Sequence, residues 1–393
     1  MKTKLWQTWA NLNSQIEAFT VGDDYLIDQV FLPYDIQASL AHAKMLHYIE
    51  ILTFEEYKNA EIWLSEIKTK LETWEFAIHP SQEDGHTAIE SYLTERYWKV
   101  GKKIHTWRSR NDQSLTMIRL YLKDALEESV GKIEKLIETL KTKWQENPIP
   151  MPGYTHWQKA MPTTTTTWLG SFHDALEDQL HMLNSLEPIF DQSPLGSAAG
   201  FGIEAFPNDR TFTAKEMGFA QVQTNPMYCG LSRGLFEHDF LTALGNFLLV
   251  LSRMNNDILL FTTSEFGFLS LPDTMTTGSS IMPQKRNYDV SELVRAKISV
   301  FFGYSDQMRN LYTHLMSGYQ RDLQMTKGIL LNGYTLWANI IDIMTLVTEN
   351  IQFHEEKLKN SMTPELYATD EVYKFVMHWE SFRESYMKVK NTY

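Results

Sequence analysis

Seven apolar residues, Phe240, Leu244, Phe247, Leu251, Met254, Ile258 and Phe261, follow one another at alternating spacings of four and three. That spacing keeps all seven on one stripe of an α-helix and is the seam of a bundle. Extended from Leu235 to Glu265, the helix would be roughly 45 Å long at 1.5 Å per residue. A chain that builds such a rod must lay other long helices against it. The stretch is also the most apolar in the sequence, but Asn246, Arg253, Asn255, Asn256 and Asp257 interrupt it. A membrane span would not carry that set.

Other stripes of the same period accompany it. Leu115, Ile118, Leu122, Leu126, Val130, Ile133, Ile137, Leu140 and Trp144 form one, with Glu134, Lys135, Glu138 and Lys141 on the opposite, solvated face. Further helices are expected over Thr164–Leu186, Val290–Leu315 and Leu323–Glu349. Alternating β patterns are few and no internal repeat is found. The expectation is an all-α protein, a helical bundle with its crossovers at the ends. Each stripe by itself signals core packing and nothing more.

With 393 residues the chain is long enough for two or three domains. Its formal net charge of −13 argues against broad binding to nucleic acid or to an anionic membrane, which needs a basic face. A locally basic pocket for a small anion stays compatible with it. The one cysteine, Cys229, allows no intrachain disulfide and reads as a small buried hydrophobe. The opening stretch MKTKLWQTWANLNSQIEAF is amphipathic and lacks the features of a signal peptide, so a cytoplasmic location is expected.

Chemistry is carried by the interruptions between helices. In LPDTMTTGSSIMPQKRNYD (271–289), Gly278 frees the backbone, Ser279 and Ser280 offer hydroxyls, and Lys285 and Arg286 bring charge beside the neutral amide of Asn287. Asp289 with Glu292 reads as a capping box for the next helix. The loop thus delivers a hydroxyl and an ammonium to a helix N-terminus, a place suited to a carboxylate or to a carbanion delocalised onto one. In KKIHTWRSRNDQ (102–113), Arg108 and Arg110 flank Ser109, and Asn111 or Asp112 can cap the helix that follows. GYTHWQ (153–158) places Thr155 and His156 after the prolines 148, 150 and 152, and GYQRDLQ (318–324) groups Tyr319, Arg321, Asp322 and Gln324. Taken one at a time, each segment is equally compatible with a solvated loop, a helix cap or a structural histidine. SPLGSAAGFG (193–202) is a small-residue loop, and its Gly200-Phe201-Gly202 run follows no strand, so it is not a dinucleotide fingerprint. There is no Walker A loop, HExxH or Cys/His metal spacing, so neither a cofactor nor a metal is implied.

Together the segments resemble the argininosuccinate lyase branch of the fumarase/aspartase superfamily. GSSIMPQKRNYD is similar to the superfamily's signature loop. HTWRSRNDQ, MPGYTHWQ, SPLGS and RDLQ match further blocks in the same order, and LPYDIQASLAHAKML (32–46) and EDGHTAIE (83–90) match the N-terminal region. The resemblance implies three all-α domains, here 1–105, 106–352 and a short C-terminal domain 353–393, with a central five-helix bundle. It implies a homotetramer in which each active site draws on three subunits, and reversible β-elimination of argininosuccinate to arginine and fumarate. Related readings are another fumarate-releasing lyase (aspartase, fumarase or adenylosuccinate lyase-like) and a non-catalytic, crystallin-like protein.

By the same resemblance Ser279 is the general base and Lys285 stabilises the aci-carboxylate. His156, held by Glu292, and Thr155 handle the proton going to the departing nitrogen. Ser109, Arg110, Asn111 and Asn287 hold substrate carboxylates, and Tyr319, Gln324 and Lys327 contact the arginine-like end. The loop from Met275 to Asn287 is expected to close over substrate. The chain departs from the pattern at Trp107, where glycine is usual, at Asp24, near a usual serine, and at Arg286-Asn287-Tyr288, where lysine and then Asn-Pro are usual. NPMYCGLSRG (225–234) keeps Arg233 without acidic neighbours.

Overall fold

A computed structural model describes residues 13–146, 148–205 and 208–393; the first twelve residues of the amphipathic opening stretch lie outside them. The principal helices are α1 (Asp24–Tyr48), α2 (Phe54–Glu72), α3 (Gly85–Arg96), α4 (Arg110–Glu146), α5 (Thr165–Asn184), α6 (Leu235–Phe261), α7 (Asp289–Tyr312), α8 (Thr326–Asn350), α9 (Ala368–Met377) and α10 (Phe382–Lys390). The five long helices expected from periodicity are therefore α4 to α8. The protein is all-α, with strands confined among the described residues to three two-stranded pairings.

The chain divides into two compact units. One comprises Met1–Glu128, Leu183–Thr242 and Gly303–Thr335; the other comprises Ser129–Met182, Ala243–Phe302 and Leu336–Tyr393. In the first, α1, α2 and α3 enclose a core of Leu32, Ile36, Leu46, Leu64, Ile67, Ile89 and Leu93. Two long-range bonds tie α1 to the segment ahead of α4. The Arg108 guanidinium donates to Ser39 Oγ at 2.8 Å, and His42 Nε2 meets the Thr106 carbonyl at 2.8 Å. Arg108 is buried here, so the helix start presents Arg110 to solvent and withholds its neighbour.

The second unit takes a segment from each of the five long helices. The α6 seam behaves as its spacing dictates: Phe247, Leu251, Met254 and Ile258 are all fully buried. Trp337 of α8 packs edge-on against Phe247 and donates its indole N–H to the Leu244 carbonyl at 3.0 Å. Trp168 of α5 donates to Asp257 at 3.0 Å, Lys132 of α4 pairs with Asp342 of α8, and Asn255 of α6 donates to the Ser291 carbonyl of α7 at 2.7 Å. Truncating a core residue such as Leu251 to Ala in this packing would cost about 2–5 kcal/mol.

A β-hairpin, β1 (Pro150–Thr155) and β2 (Gln158–Thr164), stands where the sequence offered only a proline-rich turn. Its three prolines and the register break between Pro152 and Tyr154 hide the period-two alternation.

Candidate active site

The residues singled out by sequence fall into two sets, one in each unit. In the first unit, Arg110, Asn111, Tyr319, Gln324 and Lys327 line a single cavity of about 200 Å³. Segments more than two hundred positions apart thus converge there. Ser109 does not line the cavity but caps the helix that does: its Oγ accepts the Asn111 N–H, and Asp112 accepts the Ser109 N–H at 2.8 Å. The cap is therefore Ser109, with Asp112 as its reciprocal partner, and the expectation of Asn111 or Asp112 in that place is corrected. Asp112 also accepts the Gly196 and Ala198 N–H groups, each at 3.0 Å, which pins the small-residue loop to the start of α4.

Sequence reasoning missed the acidic half of this cavity. Asp24, Asp28, Glu83 and Asp84 line it together with His86, Arg233 and Arg321. Lys327 is almost fully buried and bridges Asp24 at 2.6 Å and Asp28. Burial opposes its charge, but the two carboxylates outweigh burial and raise its pKa. Arg110 sits 3.2 Å from Asp84 and 3.6 Å from Glu83, and donates to Thr87 Oγ1 at 2.9 Å. Arg233 lies over the Tyr319 ring, 5.4 Å from its centroid. Glu83, Asp84 and His86 of EDGHTAIE were the available signal for this half; a charge cluster reads as solvated surface until the fold encloses it.

The second unit holds Thr155, His156, Ser279, Lys285, Asn287 and Glu292. Thr155 ends β1, and His156 and Trp157 make the two-residue turn of the hairpin with φ of 49° and 63°. That geometry is a type I′ turn, which ordinarily selects Asn-Gly. Two bulky residues in the left-handed region store strain, a feature concentrated at functional sites. The loop after Met275 is closed by reciprocal backbone bonds between Thr277 and Asn287, at 3.0 and 2.8 Å. Inside it, Ser279 Oγ accepts the N–H groups of Ile281 and Met282, and Asn287 Nδ2 donates to the Gly278 carbonyl. Arg286 is drawn away into an ion pair with Asp273 at 2.6 Å. The expected capping box at α7 is corrected: the Asp289 carboxylate accepts from Thr277 Oγ1, and the Glu292 N–H turns to the Tyr288 carbonyl. Lys285, His156 and Glu292 are exposed, and among the described residues no hydrogen bond or ion pair joins His156 to Glu292 within one chain.

Chemically, the first set can neutralise and orient carboxylates and amines, and the second offers a hydroxyl, an imidazole and an ammonium. A family profile described as Lyase matches residues 17–303, and the chain belongs to that lyase family. Within it the chain is similar to argininosuccinate lyases. It is 42% identical to that of Thermotoga neapolitana, with 100% of this chain and 99% of the relative covered. It is 38% identical to that of Sorangium cellulosum, with 99% and 90% covered. The fold is like that of an EDDS lyase solved with formate, at a TM-score of 0.82, 24% identity and coverage of 98% and 76%. It is also like that of a class II fumarase from Schistosoma mansoni, at 0.76, 15% identity and coverage of 95% and 91%.

Proposed function

We propose that this chain is a carbon–nitrogen lyase that cleaves argininosuccinate to arginine and fumarate. The observation that carries this reading is the convergence of Arg110, Asn111, Tyr319, Gln324 and Lys327 on one cavity. The full-length likeness to argininosuccinate lyases supports it. In this reading Ser279 takes the proton from the carbon next to a carboxylate, and Lys285 stabilises the charge that spreads onto that carboxylate. His156 and Thr155 deliver a proton to the nitrogen as the C–N bond breaks, while Ser109, Arg110, Asn111 and Asn287 hold the carboxylates.

A serine hydroxyl is a weak base in water, and Lys285 and His156 are exposed in a single chain. The mechanism therefore asks for water to be excluded by something else. We infer a homotetramer whose subunits complete each other's sites. The support lies on the bundle helices, where Leu249, Leu293, Val300 and Leu346 are about half exposed. The two most apolar helices, long enough to cross a membrane, bury only 56% and 44% of their most apolar stretches. Association of copies would cover those faces.

Fumarate absorbance on adding argininosuccinate to the purified protein, with Ser279→Ala as control, tests the activity. Release that the variant abolishes is the expected result; no release by folded protein would sink the reading. Light scattering coupled to gel filtration tests assembly, and a fully active monomer would overturn it.

A further inference from the structure

The EDGHTAIE segment has no part in the chemistry above, yet one turn of it organises two cations of the cavity, Arg110 and Lys327. Asp84 caps α3 by accepting the Thr87 N–H at 2.8 Å and the Thr87 hydroxyl at 2.7 Å. The Gly85 N–H donates to Asp28 Oδ2 at 3.0 Å, and the other oxygen of Asp28 holds Lys327. Asp84 and Thr87 together hold Arg110. Between these anchors lies His86, buried, with Nδ1 2.6 Å from the fully buried Asp35. Its Nε2 has no hydrogen-bond partner among the described residues.

The electrostatics need a positive charge at this point. Asp24, Asp28, Asp35 and Asp84 are all largely withdrawn from water, and Glu83 stands beside them. Lys327, Arg110, Arg233 and Arg321 line the same cavity and Arg108 is buried nearby, but the charges that bear on His86 itself are those of Asp35, Asp84 and Asp28. Uncompensated charge is costly in such a place. Burial works against a charged imidazole, but Asp35, Asp84 and Asp28 outweigh it and raise the His86 pKa.

We propose that His86 is a positioning residue of this site: its imidazolium, anchored by Asp35, keeps Asp84 ionised and fixes the turn whose Gly85 N–H holds Asp28, so that the two carboxylates hold Arg110 and Lys327 toward substrate. It touches no reacting atom and acts through those two carboxylates. With His86 uncharged, one carboxylate takes up a proton or turns to solvent, and a cation loses its partner. Substrate binding then suffers more than the chemical step does. The inference rests on the argininosuccinate reading for its substrate.

The test is His86→Asn, which keeps a donor toward Asp35 and removes the charge, beside the double variant His86→Asn/Asp35→Asn, which removes both charges of the pair. Fumarate release should show KM raised roughly tenfold or more in the single variant, the weight of a lost charge-assisted contact, with kcat far less changed. KM should return most of the way in the double variant. Calorimetric binding of L-arginine should give the same order without turnover. Unchanged KM and arginine Kd in His86→Asn, or loss of activity only in step with loss of folded protein, would overturn the proposal. Should the single variant fail to fold, the double variant decides alone, and a KM left far from wild type counts against the pair. No turnover by wild type would fail the activity reading instead, while the arginine comparison would still judge His86.

Discussion

Asp112 accepts the backbone N–H of Gly196 at 3.0 Å, across 84 positions of chain. With the Ala198 bond, this one carboxylate holds the 193–202 loop against the first turn of α4, where Ser109, Arg110 and Asn111 start. Burial dominates its ionisation and raises its pKa to about 6, although the N–H groups of Ser109, Ala198 and Gly196 and the charge of Arg108 all favour the carboxylate.

That shift has a measurable consequence. An unfolded aspartate titrates near ~3.9, so folded Asp112 binds its proton more readily than the unfolded chain does. Its favourable contribution is complete below about pH 4 and is lost as the pH rises through about 6. Asp112→Asn carries no such titration. The stability of wild type relative to the variant should therefore fall by about 3 kcal/mol between those limits. Urea unfolding across that range checks it, and parallel pH profiles for the two proteins would refute it.

Lys327→Met should destabilise the protein by roughly 3–5 kcal/mol, because Asp24 and Asp28 would be left as buried charges without their ammonium. Asp24→Asn removes one charge of the trio and should cost less. Thermal unfolding ranks the two variants; a milder effect for Lys327→Met would mean that the pair is not held as described.

Much of the scaffold was legible because it depends on period. The α6 seam buries every residue its spacing selects and the α4 stripe all but the half-buried Val130 and Trp144, and the five long helices end within a few residues of where capping and prolines put them. Arg110, Asn111, Tyr319, Gln324 and Lys327 were legible as a set only through resemblance, since no local pattern joins positions 110 and 327. What stayed hidden was tertiary. Arg108 and Arg110 look equivalent in sequence, yet one is buried against Ser39 and the other faces the cavity. The β1–β2 hairpin was hidden by prolines, and the carboxylates around Lys327 by the distance along the chain between α1 and α8.

Trp107 occupies the left-handed region, with φ of 63°, at a position where a Cβ is unfavourable. Its ring packs against the core of α1 to α3. Replacing it by Gly relieves about 1–2 kcal/mol of backbone strain but forfeits roughly half of the ~3–5 kcal/mol of a fully buried ring, since Trp107 is half-buried, and adds ~0.5–1 kcal/mol of chain entropy. Trp107→Gly should therefore be less stable than wild type. Trp107→Ala should be less stable still, by about 1 kcal/mol, because it loses the packing and keeps the strain. An Ala variant more stable than the Gly variant would show that the backbone at 107 is not left-handed in solution.

The loop from Met275 to Asn287 is exposed and held at its neck by the Thr277–Asn287 bonds. If it closes over substrate, limited proteolysis there should slow when argininosuccinate is added to Ser279→Ala, which binds without turning over. Equal cutting rates with and without substrate would refute closure.

His156 separates stability from activity. Its φ of 49° is one that asparagine adopts with little cost, whereas a histidine there carries strain. The side chain is exposed, so substitution removes no core contact. His156→Asn should accordingly raise the unfolding free energy by up to about 1 kcal/mol. The same change removes the imidazole assigned to the departing nitrogen and should lower kcat by about 10²-fold or more. A residue kept only for structure could not give that opposition. Near-normal kcat in His156→Asn would remove the imidazole from the mechanism, and a loss of stability would show that the turn is not strained at this position.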